Sequence, residues 1–235
     1  AYLILIFFLP GIGIIIYFSF GINYRHKKSR SIGMKAQNEF DEVYLKKETD
    51  DTDPILKANR SKINHFEPMV NFLKGLGNEQ LHIGGFKLLI NGEEKFPEVL
   101  KTLETAGEFI HMEYYDWEND TRGNEIKNVL LKKAQEGVSV RVLYDDYASR
   151  KIKKNIVREL KNGNVEIYPR IKVRIKQFAN RVNHRDHRKL IIVDGKKGFV
   201  GGINISDRYD NSIDTGLYWR DTHVKITGPL VHSMQ

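Results

Sequence analysis

The chain has 235 residues, carries 38 lysines and arginines against 30 aspartates and glutamates for a net charge of +8 at neutral pH, and contains no cysteine. This length suits one or two domains, and the positive balance favours anionic partners such as acidic phospholipid or nucleic acid. The lack of cysteine excludes disulfide staples, thiolate zinc sites and a cysteine nucleophile, and it leaves the compartment open.

Residues 1–24 carry no charge. A helix of about 22 residues at about 1.5 Å per residue spans a hydrocarbon layer of about 30 Å, so residues 1–24 read as a transmembrane helix. Pro10, Gly11 and Gly13 kink or loosen it, as membrane helices tolerate. A signal peptide is the rival reading, but no small-residue cleavage site follows the apolar run, and Arg25-His26-Lys27-Lys28-Ser29-Arg30 comes next. Positive charge just after a span places that side in the cytoplasm. The expectation is a cell-membrane protein whose catalytic part is cytoplasmic. Residues 25–60 read as a juxtamembrane linker with Glu48, Asp50, Asp51 and Asp53 ahead of Pro54, and residues 61–235 as the folded part. A start at Ala1 and a stop at Gln235 directly after an apolar run lead us to expect an internal fragment of a longer protein.

From about Gly84 onward strand-like and helix-like segments alternate. Residues 86–90 read as a strand closed by Asn91-Gly92, after which Phe96, Val99, Leu100, Leu103 and Ala106 follow a helical face with Pro97 in its first turn. Residues 108–115 are strand-like, with His111, Glu113 and Tyr115 on one face and Ile110, Met112 and Tyr114 on the other. Ile126, Val129, Leu130 and Ala134 mark a second helix ending before Gly137; residues 138–144 give the next strand and 152–161 a third helix before Gly163. This alternation predicts an α/β domain around a buried central sheet. Glu113 reads either as a solvated strand residue or as a carboxylate orienting an imidazole. Arg170, Lys172, Arg174 and Lys176 alternate with Ile171, Val173 and Ile175, a strand whose basic face either grips anionic headgroups or guards a sheet edge.

The most specific pattern comes next: His187-Arg188-Lys189, four apolar residues, Asp194, six residues, then Gly201-Gly202-Ile203-Asn204. Leu190-Ile191-Ile192-Val193 and Gly198-Phe199-Val200 read as the arms of a hairpin turning at Asp194-Gly195-Lys196-Lys197. A loop of Gly195 and Lys196 sets Asn204 across from His187 and Gly202 across from Lys189; a loop of Asp194 and Gly195 slides the pairing by two. Either way His187 and Lys189 share a strand face, and two glycines leave room for a small anion beside them. A lone histidine reads most simply as a half-buried structural residue. With a lysine and an asparagine at these offsets it reads as phosphodiester chemistry: a neutral imidazole attacks phosphorus while Lys189 and Asn204 hold non-bridging oxygens. Asp194, at the turn, reads as electrostatic or structural support.

This constellation resembles the signature of the phospholipase D superfamily. The stretches Asn183 to Gly195, Trp219-Arg220-Asp221-Thr222-His223-Val224-Lys225, Asn91 to Pro97 and His111 to Tyr115 look like bacterial cardiolipin synthases. The resemblance implies a mixed central sheet flanked by helices, here preceded by the transmembrane helix, with residues 61–235 as the first of two catalytic halves. It further implies that His187 is the phosphatidyl-accepting nucleophile or its general-acid counterpart, that Lys189 and Asn204 bind phosphate and that Asp194 completes the signature. Gly202 departs from the serine many members carry. The full signature occurs once, so a second motif is expected from a C-terminal half or a second chain. By the resemblance the reaction is transfer between two phosphatidylglycerol molecules to give cardiolipin. A hydrolase of the same superfamily and a catalytically incomplete lipid-binding fragment are the alternatives. Anionic membrane lipid is the expected partner and nucleic acid is not, since aliphatic rather than aromatic residues interleave the basic run. No metal or other cofactor is expected, because the site carries its own cation and His184 and His187 point to opposite strand faces.

Overall fold

A computed structural model describes residues 6–14, 52–76, 82–170 and 187–234. The chain divides into two compact units, Ala1–Ile83 and Gly84–Gln235. In the first, residues 6–14 are helical around an irregularity at Leu9, followed by α1 (Thr52–Ala58), α2 (Arg60–Ile63) and α3 (Glu67–Leu76). Among the described residues no helix is long and apolar enough to cross a membrane. Most of the expected span 1–24, most of the linker 25–60 and the basic run beyond Arg170 lie outside the described residues.

The second unit is built on a seven-stranded mixed sheet. Its strands are β1 (Gly85–Ile90), β2 (Phe109–Tyr114), β3 (Ser139–Tyr144), β4 (Glu166–Pro169), β5 (Lys189–Val193), β6 (Lys197–Gly201) and β7 (Thr222–Thr227), in the order β1-β7-β6-β5-β2-β3-β4. β2, β3 and β4 run parallel and the other neighbours antiparallel. Three helices make the connections: α4 (Asn91–Glu104), α5 (Thr121–Gln135) and α6 (Ile156–Asn162). The alternation predicted on β2 holds, because Ile110, Met112 and Tyr114 are buried in the core with Val140, Val142 and Ile191 while His111 and Glu113 are half-buried.

Two local expectations change. Asn91-Gly92 opens α4 instead of closing a turn, so Pro97 lies inside the helix rather than in its first turn. The cause is a side-chain cap: the Glu94 carboxylate accepts the Ile90 N–H at 2.9 Å, satisfying a donor at the helix start. In the hairpin, Leu190 pairs with Val200 and Val193 with Lys197, one residue away from either predicted register. Asp194 and Gly195 both take positive φ (51° and 63°), the Lys196 N–H closes onto the Val193 carbonyl at 3.0 Å, and Lys196 is then an inserted residue. Its carbonyl accepts the Gly228 N–H at 3.1 Å, tying the insertion to the end of β7.

Beyond β6 the chain crosses to the end of β2. The Ile205 N–H donates to the Asp116 carbonyl (3.1 Å) and the Glu118 N–H to the Ile205 carbonyl (2.9 Å). The following loop is fastened to α5 by reciprocal caps. Asp207 accepts the Thr121 and Arg122 N–H groups at 3.1 and 2.7 Å, and Asp120 accepts those of Gly123 and Asp207 at 2.9 and 2.8 Å. Arg122 also meets the fully buried Asp210 carboxylate at 2.7 Å. These bonds hold the segment carrying Asn204 against the strand ends.

Candidate active site

One row of residues crosses the sheet at the C-terminal ends of its parallel strands, where α/β sheets place their ligands. Tyr114 on β2 pairs with Lys189 on β5. Continuing the β5–β6 register by one residue sets Gly201 beside Lys189, and Gly201 pairs with His223 on β7, which pairs with Leu89 on β1. Side chains in one row share a face, here the face that carries the buried core. That explains why Lys189 is only 2% exposed while His187, just ahead of the strand, is exposed.

Lys189 Nζ stands 2.9 Å from His187 Nδ1 and donates to the His187 carbonyl at 2.8 Å. The Tyr115 ring backs both groups, 4.6 Å from the imidazole and 5.1 Å from the ammonium. Burial pulls the Lys189 ammonium down to about 8, with Asp221 and Asp116 resisting. Burial, then the Lys189 charge, lowers His187 below its ordinary value. The pair is therefore a neutral imidazole beside a cation still charged at neutral pH, and the ammonium keeps one hydrogen beyond the two it directs at His187.

This sets a sign for pH dependence. Deprotonation of Lys189 removes the positive charge, so affinity for a phosphodiester monoanion is retained below about pH 8 and lost as pH rises through it. Titration of the full-length chain with dimethyl phosphate is expected to show this loss near 8. A midpoint at the ordinary lysine value, about 10.4, would remove Lys189 from the anion site.

Of the other expected residues, Asn204 lies at the same strand ends and Asp194 does not. Asn204 is 4% exposed, its Oδ1 accepts the Asp116 N–H at 3.2 Å and its Nδ2 donates to the Tyr209 hydroxyl at 2.7 Å. It sits behind the strand ends with one amide hydrogen left. Asp194 is not brought to the site. It lies at the opposite end of β5, where its carboxylate accepts the N–H groups of Gly107 (2.9 Å), Glu108 (2.9 Å) and Phe109 (2.8 Å). Burial there opposes ionisation, yet the N–H groups of Gly107, Phe109 and Glu108 outweigh it and hold the carboxyl below its ordinary value. These bonds tie the hairpin turn to the start of β2. Glu113 pairs with Arg170 and Arg188 at 3.2 and 3.5 Å, on the face away from Lys189.

Four residues at the site were not singled out from sequence: Lys95, Asp116, Asp221 and His223. Lys95 is fully buried on α4, donating to the carbonyls of Asn204 at 3.2 Å and Ile203 at 3.5 Å. Its place one turn before Val99 on the apolar face was the available signal. Asp116 meets Arg208 in a short contact, and burial raises its carboxyl above the ordinary value against the pull of Arg208. Asp221 fills the space beside Gly202, where a Cβ would come within 2.1 Å of its Oδ1, so the missing serine has its place taken by this carboxylate. His223 and Lys225 repeat the H-x-K spacing without the rest of the signature, and Lys225 is paired with Glu98 at 2.7 Å.

A mixed α/β sheet with the H-x-K hairpin seated at its strand ends is the arrangement of a phospholipase D-like domain carrying one signature motif. The chain belongs to the family described as cardiolipin synthase, PLD-like domain, whose model matches residues 99–226. It is 36% identical over its whole length to a cardiolipin synthase of Geobacillus kaustophilus, covering 46% of that protein. It is also 34% identical to the major cardiolipin synthase ClsA of Bacillus subtilis, covering 49% of it. The chain thus spans about half the length of the curated relatives it matches. Among solved structures, the phospholipase D family member nuc of Salmonella typhimurium is similar at a TM-score of 0.49 and 18% identity, over 65% of this chain and 90% of that one.

Proposed function

We propose that this chain carries the first half-site of a membrane-bound phosphatidyltransferase that makes cardiolipin from two phosphatidylglycerol molecules and releases glycerol. The second half-site comes from a further segment of the protein or from a second chain. One of the two motif histidines, His187 or its counterpart, attacks phosphorus. A nitrogen–phosphorus bond forms, the phosphorus–oxygen bond to glycerol breaks, and the other histidine gives the departing alkoxide its proton. The terminal hydroxyl of the second phosphatidylglycerol then returns that proton and attacks phosphorus, releasing the histidine. Lys189 holds a non-bridging oxygen throughout, and anionic lipid at a cytoplasmic membrane face supplies both substrates.

The observation that carries this reading is the desolvated Lys189 ammonium held 2.9 Å from His187 Nδ1 in a chain of this family. Product analysis tests it. The full-length protein in detergent micelles, given labelled phosphatidylglycerol as sole lipid with chelator present, is expected to yield cardiolipin and free glycerol in equal amounts. Phosphatidic acid in place of cardiolipin would make water the acceptor and the protein a hydrolase.

A further inference from the structure

His223 is 0% exposed, and among the described residues neither of its ring nitrogens has a hydrogen-bond partner. Buried polar groups in native proteins are almost always paired, so two orphan nitrogens on one ring call for a physical account. The ring leans over Gly201: a Cβ there would fall 2.6 Å from His223 Nδ1. Gly201 is also the residue that separates His223 from Lys189 in the cross-sheet row. With no side chain between them, imidazole and lysine face each other across a bare backbone.

The charged groups acting on this ring are Lys95 from α4 and Lys189 from β5, and Asp221, two residues before His223, acts on both lysines. Burial, then the charges of Lys95 and Lys189, drives the imidazole down to about 2, so it stays neutral and keeps an acceptor nitrogen. Lys95 is already committed to the carbonyls of Ile203 and Asn204. Lys189 has a hydrogen to spare, and it acquires a need for a fixed acceptor once a phosphate oxygen competes for the hydrogen now aimed at His187.

We infer that His223 is a positioning residue for Lys189: in the ligand-bound site its imidazole accepts a hydrogen bond from the Lys189 ammonium, holding Nζ at the phosphate while His187 Nδ1 is released. The role rests on the phosphate-holding function given to Lys189 above, and it touches no reacting atom. Without His223 the ammonium is left in an apolar gap with one fewer acceptor, so the ligand-bound arrangement is less populated and Lys189 is easier to deprotonate.

The test is anion binding rather than turnover, so it stands whether the full-length protein proves to be a transferase or a hydrolase. Dimethyl phosphate is titrated into the full-length protein and into its His223→Gln, His223→Leu and His223→Val variants, each checked for a native melting transition. His223→Gln keeps an acceptor and is expected to bind as the parent does. The two apolar variants are expected to lose about tenfold in affinity, the size of one hydrogen bond to a charged group, and to show the alkaline loss of binding at lower pH than the parent. Val, suited to a strand, stands in if Leu does not fold. Unchanged affinity and unchanged pH midpoint in a folded apolar variant would reduce His223 to packing. Equal losses in the Gln and apolar variants would make ring shape, not acceptance, the requirement, and would overturn the inference.

Discussion

Lys189→Ala is expected to lower kcat/KM for phosphatidyl transfer by about 100- to 1,000-fold with little loss of folded protein, the usual scale for removing one preorganised group that stabilises a phosphoryl transition state. Lys189 is 2% exposed and its ammonium touches the His187 imidazole, so its field acts through a poorly screened site, and its removal also frees the imidazole to turn away from Tyr115. Lys189→Arg is expected to recover little. A guanidinium is longer and planar and has no room between the Tyr115 ring and the His187 carbonyl, although its charge persists at every accessible pH. Steady-state kinetics with circular dichroism decides the matter. A folded Lys189→Ala enzyme within about threefold of the parent would show that the phosphate is held elsewhere, a difference too small for any direct charge contact.

The second large effect falls on stability. Asp194→Ala removes a charged acceptor from three backbone N–H groups at the base of β2 and puts a Cβ-bearing residue without a polar side chain at φ 51°. A hydrogen bond to a charged group weighs about 1.5–3 kcal/mol and the left-handed backbone about 1–2 kcal/mol, and the exposure of two of the three N–H groups lets water replace most of their share. The expected net cost is about 2–3 kcal/mol. Asp194→Asn, which tolerates the left-handed conformation and keeps one acceptor oxygen, is expected to lose about half as much. The sign with pH follows from the lowered folded-state value: this stabilisation is present above the ordinary aspartate range and fades as pH falls through the folded one, so parent and Asp194→Ala converge in acid. Urea unfolding near neutral and acid pH measures both. A variant that folds as well as the parent but has lost turnover would return Asp194 to the chemistry.

The strand and helix alternation was legible in the sequence because β2, β3, α5 and α6 each bury one regular stripe, and because Gly137 sits just past the end of its helix at φ +91°. The hairpin register was not, since a one-residue insertion at Lys196 depends on the Gly228 N–H, which comes from a distant segment. His187 and Lys189 could be paired because they stand two residues apart in the chain. Asp221 and His223 could not be placed beside them, because the register that joins β5 to β7 runs through β6 and Gly201. Asp116 and Tyr209, the partners of the Asn204 amide, were not legible beside it, because they meet it only once the chain crosses the end of β5. Lys95 shows the same limit, since a lysine on an amphipathic helix is normally a solvent-facing residue and here it is buried beneath the Asn204 carbonyl.

The most direct measurement is a rapid-quench experiment on the full-length protein with phosphatidylglycerol labelled in its phosphorus, parent beside His187→Ala. On the proposed route an acid-labile, alkali-stable label forms on a motif histidine and decays fast enough to carry the flux to cardiolipin, and it is slowed by about 1,000-fold in the variant. Cardiolipin formed with no histidine-bound label, or normal labelling and turnover in His187→Ala, would contradict it.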